Sequence, residues 1–390
     1  MSRTSVPSSV LIAGCGIVGA ATAFFLARRG IDVTIIDREG PAAAATGAAD
    51  GAVSVASKRP GPMMVAALSG VALYRSLLAE GVLSDLFKPR STFIIAASEE
   101  ECTVLEAHVA ALSGEGVSVE AFGRDTLRQR FPALSPSVRM GAEVKGDGHA
   151  IGYRIVNRFI STAGVTVRRH VEVRHLVEAG DGRVAGVATD QGEFHADAVV
   201  IAAGGGAAGL LDLNGVVKPR KGQLLVTERA PALNASMPGS IMSGRYLLSK
   251  GSQKGAPVSA RGYGLIVDPL TTGQFLIGGT REESDDRQAN DLEAVRRILA
   301  DAIALVPDLA RVRLLRAFAG VRTAVVDGLP LVGRWPDHEN LFVAAGFEGD
   351  GICLGPVIGE AIAGLVCGET PSLDLHPFDP ARLAVREAVA

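Results

Sequence analysis

A two-domain α/β fold is predicted for this chain by three features of its sequence. The apolar run Ser9–Ala13 is followed by the turn Gly14-Cys15-Gly16-Ile17-Val18-Gly19 and then by an apolar helical stretch. A second apolar run, Val33–Ile36, ends at Asp37, and further glycine-rich strand ends recur at 202–206 and 345–351. Between these, residues 216–320 change to alternating runs such as Gln223–Thr227 and Gln274–Gly278, the pattern of a mostly antiparallel sheet with one face in a core.

Strand, glycine turn, helix, strand and acid, in that order, open a Rossmann-like unit. Gly14 and Gly16 permit a tight turn and close backbone approach to a pyrophosphate, while Ile17, Val18 and Gly19 begin a helix whose first N–H groups are unpaired. Asp37, 21 residues beyond Gly16, can accept from a ribose hydroxyl. A glycine turn that binds nothing does not account for the full set. The expected elements are strand 9–13, helix 17–29 closed by Gly30, and strand 32–36. Pro41–Gly51 has side chains too small to build a core and suits close approach of backbone to a ligand.

A helix is expected over 62–80, with Leu68, Val71, Ala72, Leu78 and Ala79 on its buried face, and a helix with a small α/β excursion over 99–134. After a helix at 153–163, the turns Gly180-Asp181-Gly182 and Asp190-Gln191-Gly192 divide three short runs into a meander. The strand 198–203, apolar on both faces, should return to the first sheet, and a further helix falls near 291–305. The segment 341–368 repeats strand, glycine turn and apolar helix and should rejoin the first domain. The nucleotide-binding domain is therefore expected to be discontinuous, 1–80, 140–215 and 321–390, with 81–139 and 216–320 forming a substrate domain.

Composition narrows the partners. With 390 residues, 47% of them hydrophobic, the chain can bury a large core, and a net charge of −3 leaves no electrostatic footprint for nucleic acid or an anionic membrane. Cys15, Cys102, Cys353 and Cys367 lack the spacing of a zinc site or a disulfide scaffold, and the seven histidines show no metal-ligating pattern, so no metal is expected. Residues 1–9 carry no apolar stretch of the kind a secretory signal needs; reduced thiols, a cytoplasmic location and no transmembrane segment are expected.

Six motifs occur in one order: GCGIVG at 14–19, ATGAADG at 45–51, ADAVVIAAGG at 196–205, KGQ at 221–223, GVRTAVVDGLPLVG at 320–333 and AAGFEGDGICLGP at 344–356. With them, the chain resembles the D-amino-acid oxidase family of FAD-dependent amine oxidoreductases over nearly all of 9–380. Within that family, SKRPGP at 57–62, GGTRE at 278–282 and EGDGI at 348–352 resemble the β subunits of D-hydroxyproline, proline and opine dehydrogenases. The resemblance implies an FAD-binding domain of the glutathione-reductase type. Gly14, Gly16 and Gly19 would take the FAD pyrophosphate, Asp37 the adenosine ribose and Arg38 the adenine edge. Thr46 and Gly47 would lie near the pyrophosphate or flavin, with Ala203 and Gly204 against the cofactor. Gly349, Asp350, Gly351 and Ile352 would lie beside the flavin pyrimidine, where the N-terminus of a helix meets the charge that accumulates on reduction, and Gly346 is a further cofactor-binding position. The side chains of Ile352, Leu354, Ile358, Ile362 and Leu365 are read as core. Relatives often carry His after the glycine corresponding to Gly346; Phe347 stands here, which leaves Glu348 or Asp350 to supply a polar contact.

An amino-acid substrate needs a carboxylate anchor, and arginine's fork binds two oxygens at once. Arg322, in GVR, matches the family's carboxylate-binding arginine; its alternative is an ion pair with Asp327. Arg281 projects into the cavity, or pairs with Glu282, Glu283, Asp285 or Asp286. Tyr246 and Tyr263 cap the substrate, or sit as amphipathic residues on a sheet surface. Lys221 is expected to hold the sheet edge, Lys250 is a further candidate, and His149 reads as a loop or capping residue. The reaction implied is oxidation of the C–N bond of a secondary amino acid of D-hydroxyproline, proline or opine type, by hydride transfer to flavin N5. The chain would be the catalytic subunit of a hetero-oligomer whose partner subunits accept electrons, with FMN at a subunit interface. A self-sufficient glycine, sarcosine or D-amino-acid oxidase using O2 is one alternative, and a non-catalytic flavin-bearing electron-transfer subunit is another.

Overall fold

A computed structural model describes residues 6–251 and 261–383. The strand Ser9–Ala13 buries four of its five residues because it runs through the middle of a six-stranded sheet. On one side it pairs in parallel with Asp32–Asp37, and then Thr166–Arg169. On the other it pairs with Ala198–Ile201, followed by Leu341–Ala345 and the antiparallel edge Leu331–Arg334. Both the strand at 198–201 and the one at 341–345 thus return to the first sheet, as their two-sided apolarity predicts.

The helix Ile17–Ala27 is apolar all round and is accordingly buried, packed between this sheet and the helices Gly351–Val366 and Gly152–Ala163. The opposite face of the sheet carries the expected meander, Val173–Glu178, Val184–Thr189 and Gly192–His195, over a core that includes Leu11, Ile36, Val187, Val199 and Val343.

An eight-stranded mixed sheet forms the second layer. Its order is Leu314–Val325, Val217–Thr227, Phe275–Arg281, Gly262–Pro269, Ser240–Ser243, Thr92–Ala96, Met140–Val144 and Val119–Gly123, with one parallel pair, 240–243 with 92–96. Phe93, Phe131, Leu225, Phe275 and Ile277 pack beneath it against the helix Leu292–Leu305. Ala52–Val53, Gly148–Ala150 and Phe87–Pro89 form a small antiparallel sheet with 148–150 in the middle.

Three expectations change. Met140–Val144, assigned from the sequence to the nucleotide half, is a member of the eight-stranded sheet, in register from Thr92↔Val144 to Ala96↔Met140. Leu314–Val325 runs straight through the expected boundary at 320/321, since it pairs with Val217–Thr227 along its whole length. The helix at Pro62–Ala79 forms where expected but turns a different face inward: Met64, Ala67, Gly70, Tyr74 and Leu77 are buried, while Leu68, Ala72 and Ala79 are exposed. Small residues decide this. Gly70 lies so close to the carbonyl of Cys353 that a Cβ would come within 2.4 Å of it, and the Tyr74 hydroxyl donates to the carbonyl of Ile352 at 2.8 Å. By length and composition this 18-residue helix, with a mean hydropathy of 1.4, is apolar enough to cross a membrane; here one face is buried against the helix Gly351–Val366.

Candidate functional site

An elongated groove of about 980 Å³ opens at the carboxyl ends of the six-stranded sheet, the place where open α/β sheets bind ligands. Of the residues named from the sequence, Gly14, Gly16, Ile17, Val18, Asp37, Arg38, Thr46, Ala203, Gly204, Gly346 and Gly351 line it. Gly14 has φ +108°, and a Cβ there would stand 2.4 Å from the carbonyl of Ala202, so no side chain is tolerated at this turn. The Asp37 carboxylate accepts from the backbone N–H of Cys15 at 2.7 Å and of Gly40 at 2.7 Å, which binds the glycine turn to the end of the second strand. Burial, with Asp37 alongside, pushes the Cys15 thiol up to about 12, so it stays protonated. The Thr46 hydroxyl accepts from the N–H of Ile17 at 3.0 Å, using one donor of the helix start. Arg38 and Glu39 lie at one end, where Arg287 from the second layer reaches across to Glu39 at 2.7 Å.

The remaining named residues support the groove from outside it. Gly19 packs on the carbonyl of Gly14 and Gly47 on that of Ala42. Gly349 lies beside the Arg322 side chain, and Ile352 is core. Asp350 turns away to an ion pair with Lys58, a residue only 5% exposed. Burial opposes the charge on Lys58, but Asp350 outweighs it and holds the ammonium above the usual lysine range. Lys58 carries no periodicity or motif of its own beyond SKRPGP, so sequence reasoning did not single it out.

A small cavity of about 40 Å³ adjoins the groove at Arg322, which lines both. Tyr246, Tyr263, Arg281 and Arg322 converge here, although they come from a helix, two strands and a third strand of the eight-stranded sheet. Asp50, Leu224, Ile266, Leu276 and Thr280 complete the wall together with glycines at 262, 264, 278 and 279. Arg322 does not pair with Asp327, which binds Arg382 instead. Its Nη1 donates to the carbonyl of Thr280 at 3.3 Å, and its guanidinium lies over Gly222. Among the described residues no carboxylate lies within 4 Å of it.

Arg281 does not join the acidic run that follows it, because Glu282 is taken by Arg261. Its Nη2 donates to the Tyr246 hydroxyl at 2.7 Å, its guanidinium lies 5.2 Å from the Tyr246 ring centre, and Glu348 stands 3.4 Å from Nε. Burial disfavours its charge, but Tyr246, Glu348 and Asp350 more than restore it. Glu348, which lines the groove next to the buried Phe347, thus turns its carboxylate to Arg281. The KGQ motif acts through Gln223, which accepts from the N–H of Asp291 at 2.7 Å and donates to Glu282, holding the 282–291 loop to the sheet. The side chain of Lys250 lies outside the described residues.

His149 is a strand residue rather than a loop cap. Its Nε2 donates to the carbonyl of Asp50 at 3.1 Å and lies 3.6 Å from Asp268, itself paired with Arg90. Burial lowers the His149 pKa below its ordinary value, with Asp268 opposing. Asp50 was missed in the sequence, where it stands as the single acid in a run of small residues. Among the described residues no three His, Cys, Asp or Glu side chains gather as a metal site.

Comparison with known proteins gives this geometry its context. Glycine oxidase of Geobacillus kaustophilus is 29% identical over 96% of this chain and 96% of its own length. A crystal structure of glycine oxidase from that species superimposes with a TM-score of 0.82, at 27% identity, over 96% of this chain and 98% of the other. Hydrogen cyanide synthase subunit HcnC of Pseudomonas aeruginosa is 27% identical over 98% of this chain and 97% of its own. The L-proline dehydrogenase structure from P. horikoshii shares the fold, with a TM-score of 0.84 at 21% identity over 98% of this chain and 99% of the other. The family model described as FAD dependent oxidoreductase, DAO, matches residues 9–365. With its Rossmann-like groove and sheet-rich second layer, the chain belongs to the DAO family of FAD-dependent oxidoreductases.

Proposed function

We propose that this FAD-dependent enzyme oxidises the C–N bond of a small α-amino acid, glycine or an N-substituted glycine such as sarcosine, held in the cavity by its carboxylate on Arg322. The observation that carries the reading is the Arg322 guanidinium, free of any carboxylate among the described residues, where cavity and groove meet. The names of the glycine oxidase and HcnC relatives agree with an amino-acid or small-molecule substrate.

The groove fits FAD. Its glycine and alanine lining leaves room for an extended dinucleotide, and a Cβ at Gly14 would occupy that wall. In this reading Gly14, Gly16 and the start of the helix Ile17–Ala27 hold the pyrophosphate, Asp37 the ribose, and Gly346 to Gly351 the pyrimidine end. FAD, when bound, supplies the hydride acceptor. The chain supplies placement and charge. Arg322 binds two carboxylate oxygens and fixes the α-carbon relative to the groove. The Tyr246 oxygen accepts from Arg281 Nη2, and that bond fixes the phenol on the cavity wall beside the substrate. Leu224, Ile266 and Leu276 displace water and strengthen these contacts.

Size separates the substrate classes. The cavity is small, about 40 Å³, and opens into the groove at Arg322, an arrangement that suits a compact substrate such as glycine or sarcosine better than hydroxyproline or an opine. Similarity to glycine oxidases favours the same choice over the larger secondary amino acids, of D-hydroxyproline, proline or opine type, expected from SKRPGP and GGTRE. A second reading, a catalytic subunit passing electrons to partner subunits, is favoured by one observation. Val65, Leu68 and Ala72 leave an exposed apolar stripe on the helix Pro62–Ala79, at i, i+3 and i+7.

The deciding experiment is anaerobic flavin absorbance of the purified protein as glycine, sarcosine, D- and L-proline, D- and L-hydroxyproline and opines are added, followed by air. Bleaching by glycine or sarcosine with rapid recovery in air is the expected result. Bleaching only by larger secondary amino acids, with slow recovery, would establish the partner-dependent dehydrogenase instead. A flavin that none of them bleaches would refute an amino-acid substrate.

A further inference from the structure

The charges around the cavity do not cancel one another. Arg281 is answered by Glu348 at 3.4 Å and by the Tyr246 hydroxyl. Two charged side chains of the cavity wall remain without an ion-pair partner within 4 Å among the described residues, the cation Arg322 and the anion Asp50. Asp50 uses Oδ1 to accept from the N–H of Ala52 at 3.1 Å, and no protein donor among the described residues uses Oδ2.

We propose that Asp50 is the residue that binds the substrate nitrogen, taking the ammonium of the zwitterion through Oδ2 while Arg322 takes the carboxylate. The inference rests on the amino-acid reading of the cavity and adds its other end. Asp50 is half-buried and lines the same cavity as Leu224, Ile266 and Leu276, where its carboxylate gains from a cation with N–H donors. An α-amino acid brings that cation and an anion together, one for each unanswered charge.

The surroundings of Asp50 hold it for this task. Its carbonyl accepts from His149 Nε2 at 3.1 Å, and Ala52 pairs with His149 in the small sheet. At the next residue, Gly51, a Cβ would come within 2.7 Å of the His149 ring. The backbone at Asp50 is therefore held against the small sheet, at the wall of the cavity that Arg322 also lines.

The test compares a ligand with the amine and one without it, on the FAD-loaded enzyme. Asp50→Asn keeps an acceptor for the N–H of Ala52 and removes the charge; Asp50→Ser does the same with a smaller side chain and serves if the first variant fails to fold. Two readouts are taken: the glycine or sarcosine concentration that half-reduces the flavin anaerobically, and the dissociation constant of glycolate, read from its perturbation of the oxidised flavin spectrum. The expected result is a rise of about ten- to a hundred-fold for the amino acid, with glycolate changed by less than about three-fold. Arg322→Ala is expected to weaken both ligands together. An equal shift of both ligands in the Asp50 variants, or a shift of neither, would overturn the assignment while leaving the amino-acid reading intact. A wild-type flavin that no amino acid reduces would overturn both.

Discussion

Replacing Arg322 by alanine separates binding from folding, because the side chain has so little to do for the protein itself. Among the described residues its hydrogen bond is the 3.3 Å contact with the carbonyl of Thr280, and no ion pair is lost with it. That loss amounts to at most about 1 kcal/mol. A fork-on-carboxylate pair in a water-poor cavity contributes about 2–4 kcal/mol. At about 1.4 kcal/mol per decade, the half-saturating substrate concentration should rise roughly 30- to 700-fold. The flavin should stay bound, since the pyrophosphate end of the groove is formed by Gly14, Gly16 and Thr46, on other elements. Anaerobic titration with glycine or sarcosine, monitored by flavin absorbance, reads the shift directly. Arg322→Lys should fall between wild type and alanine, because it restores charge without the fork. A variant that keeps its flavin and its half-saturating concentration would refute the placement of the carboxylate.

Further outcomes follow from other contacts. Gly14→Ala should yield a folded chain depleted of flavin, measured by the absorbance ratio after purification, because the new Cβ meets the Ala202 carbonyl and the residue has φ +108°. Lys58→Met deprives Asp350 of a buried cation and should lower stability by about 1–3 kcal/mol in denaturant unfolding, less than for a fully buried pair because Asp350 keeps a quarter of its exposure. Lys58→Met with Asp350→Asn should recover part of that loss; no recovery would show that the two do not act as a pair. His149 is held neutral by burial, so its pKa lies below the ordinary 6.5. The unfolded chain takes up its proton first, and the stability this residue contributes is present above pH 6.5 and lost as pH falls through the folded value. Thermal unfolding should therefore show wild type losing more stability than His149→Gln between pH 7.5 and 5.5, and equal losses would sink the argument.

Much of the nucleotide half could be read directly. The run from Ser9 to Asp37 encodes its strand, turn and helix in neighbouring residues, and the meander between 173 and 195 is punctuated by its own turns. The buried face of the helix Pro62–Ala79 is not legible in its sequence, because apolar residues stand on all its sides. The choice of face was made by a distant helix that comes close only where Gly70 lets it. Met140–Val144 was placed with the wrong sheet for a similar reason: a short strand shows its period but not its neighbour.

By itself, then, the sequence determined the Rossmann-like opening and the return of the late strands to it, and it singled out the arginine of GVR as the candidate anchor for a carboxylate. These are local patterns, in which glycine, apolar period and charge act within a few residues of one another. Only the tertiary structure decided that Arg322 is free of Asp327, that Arg281 is answered by Glu348 and Tyr246, and that Asp50 faces the same cavity. Charge balance depends on distances between residues tens to hundreds of positions apart, and those distances are set by how two sheets pack, which no local pattern records.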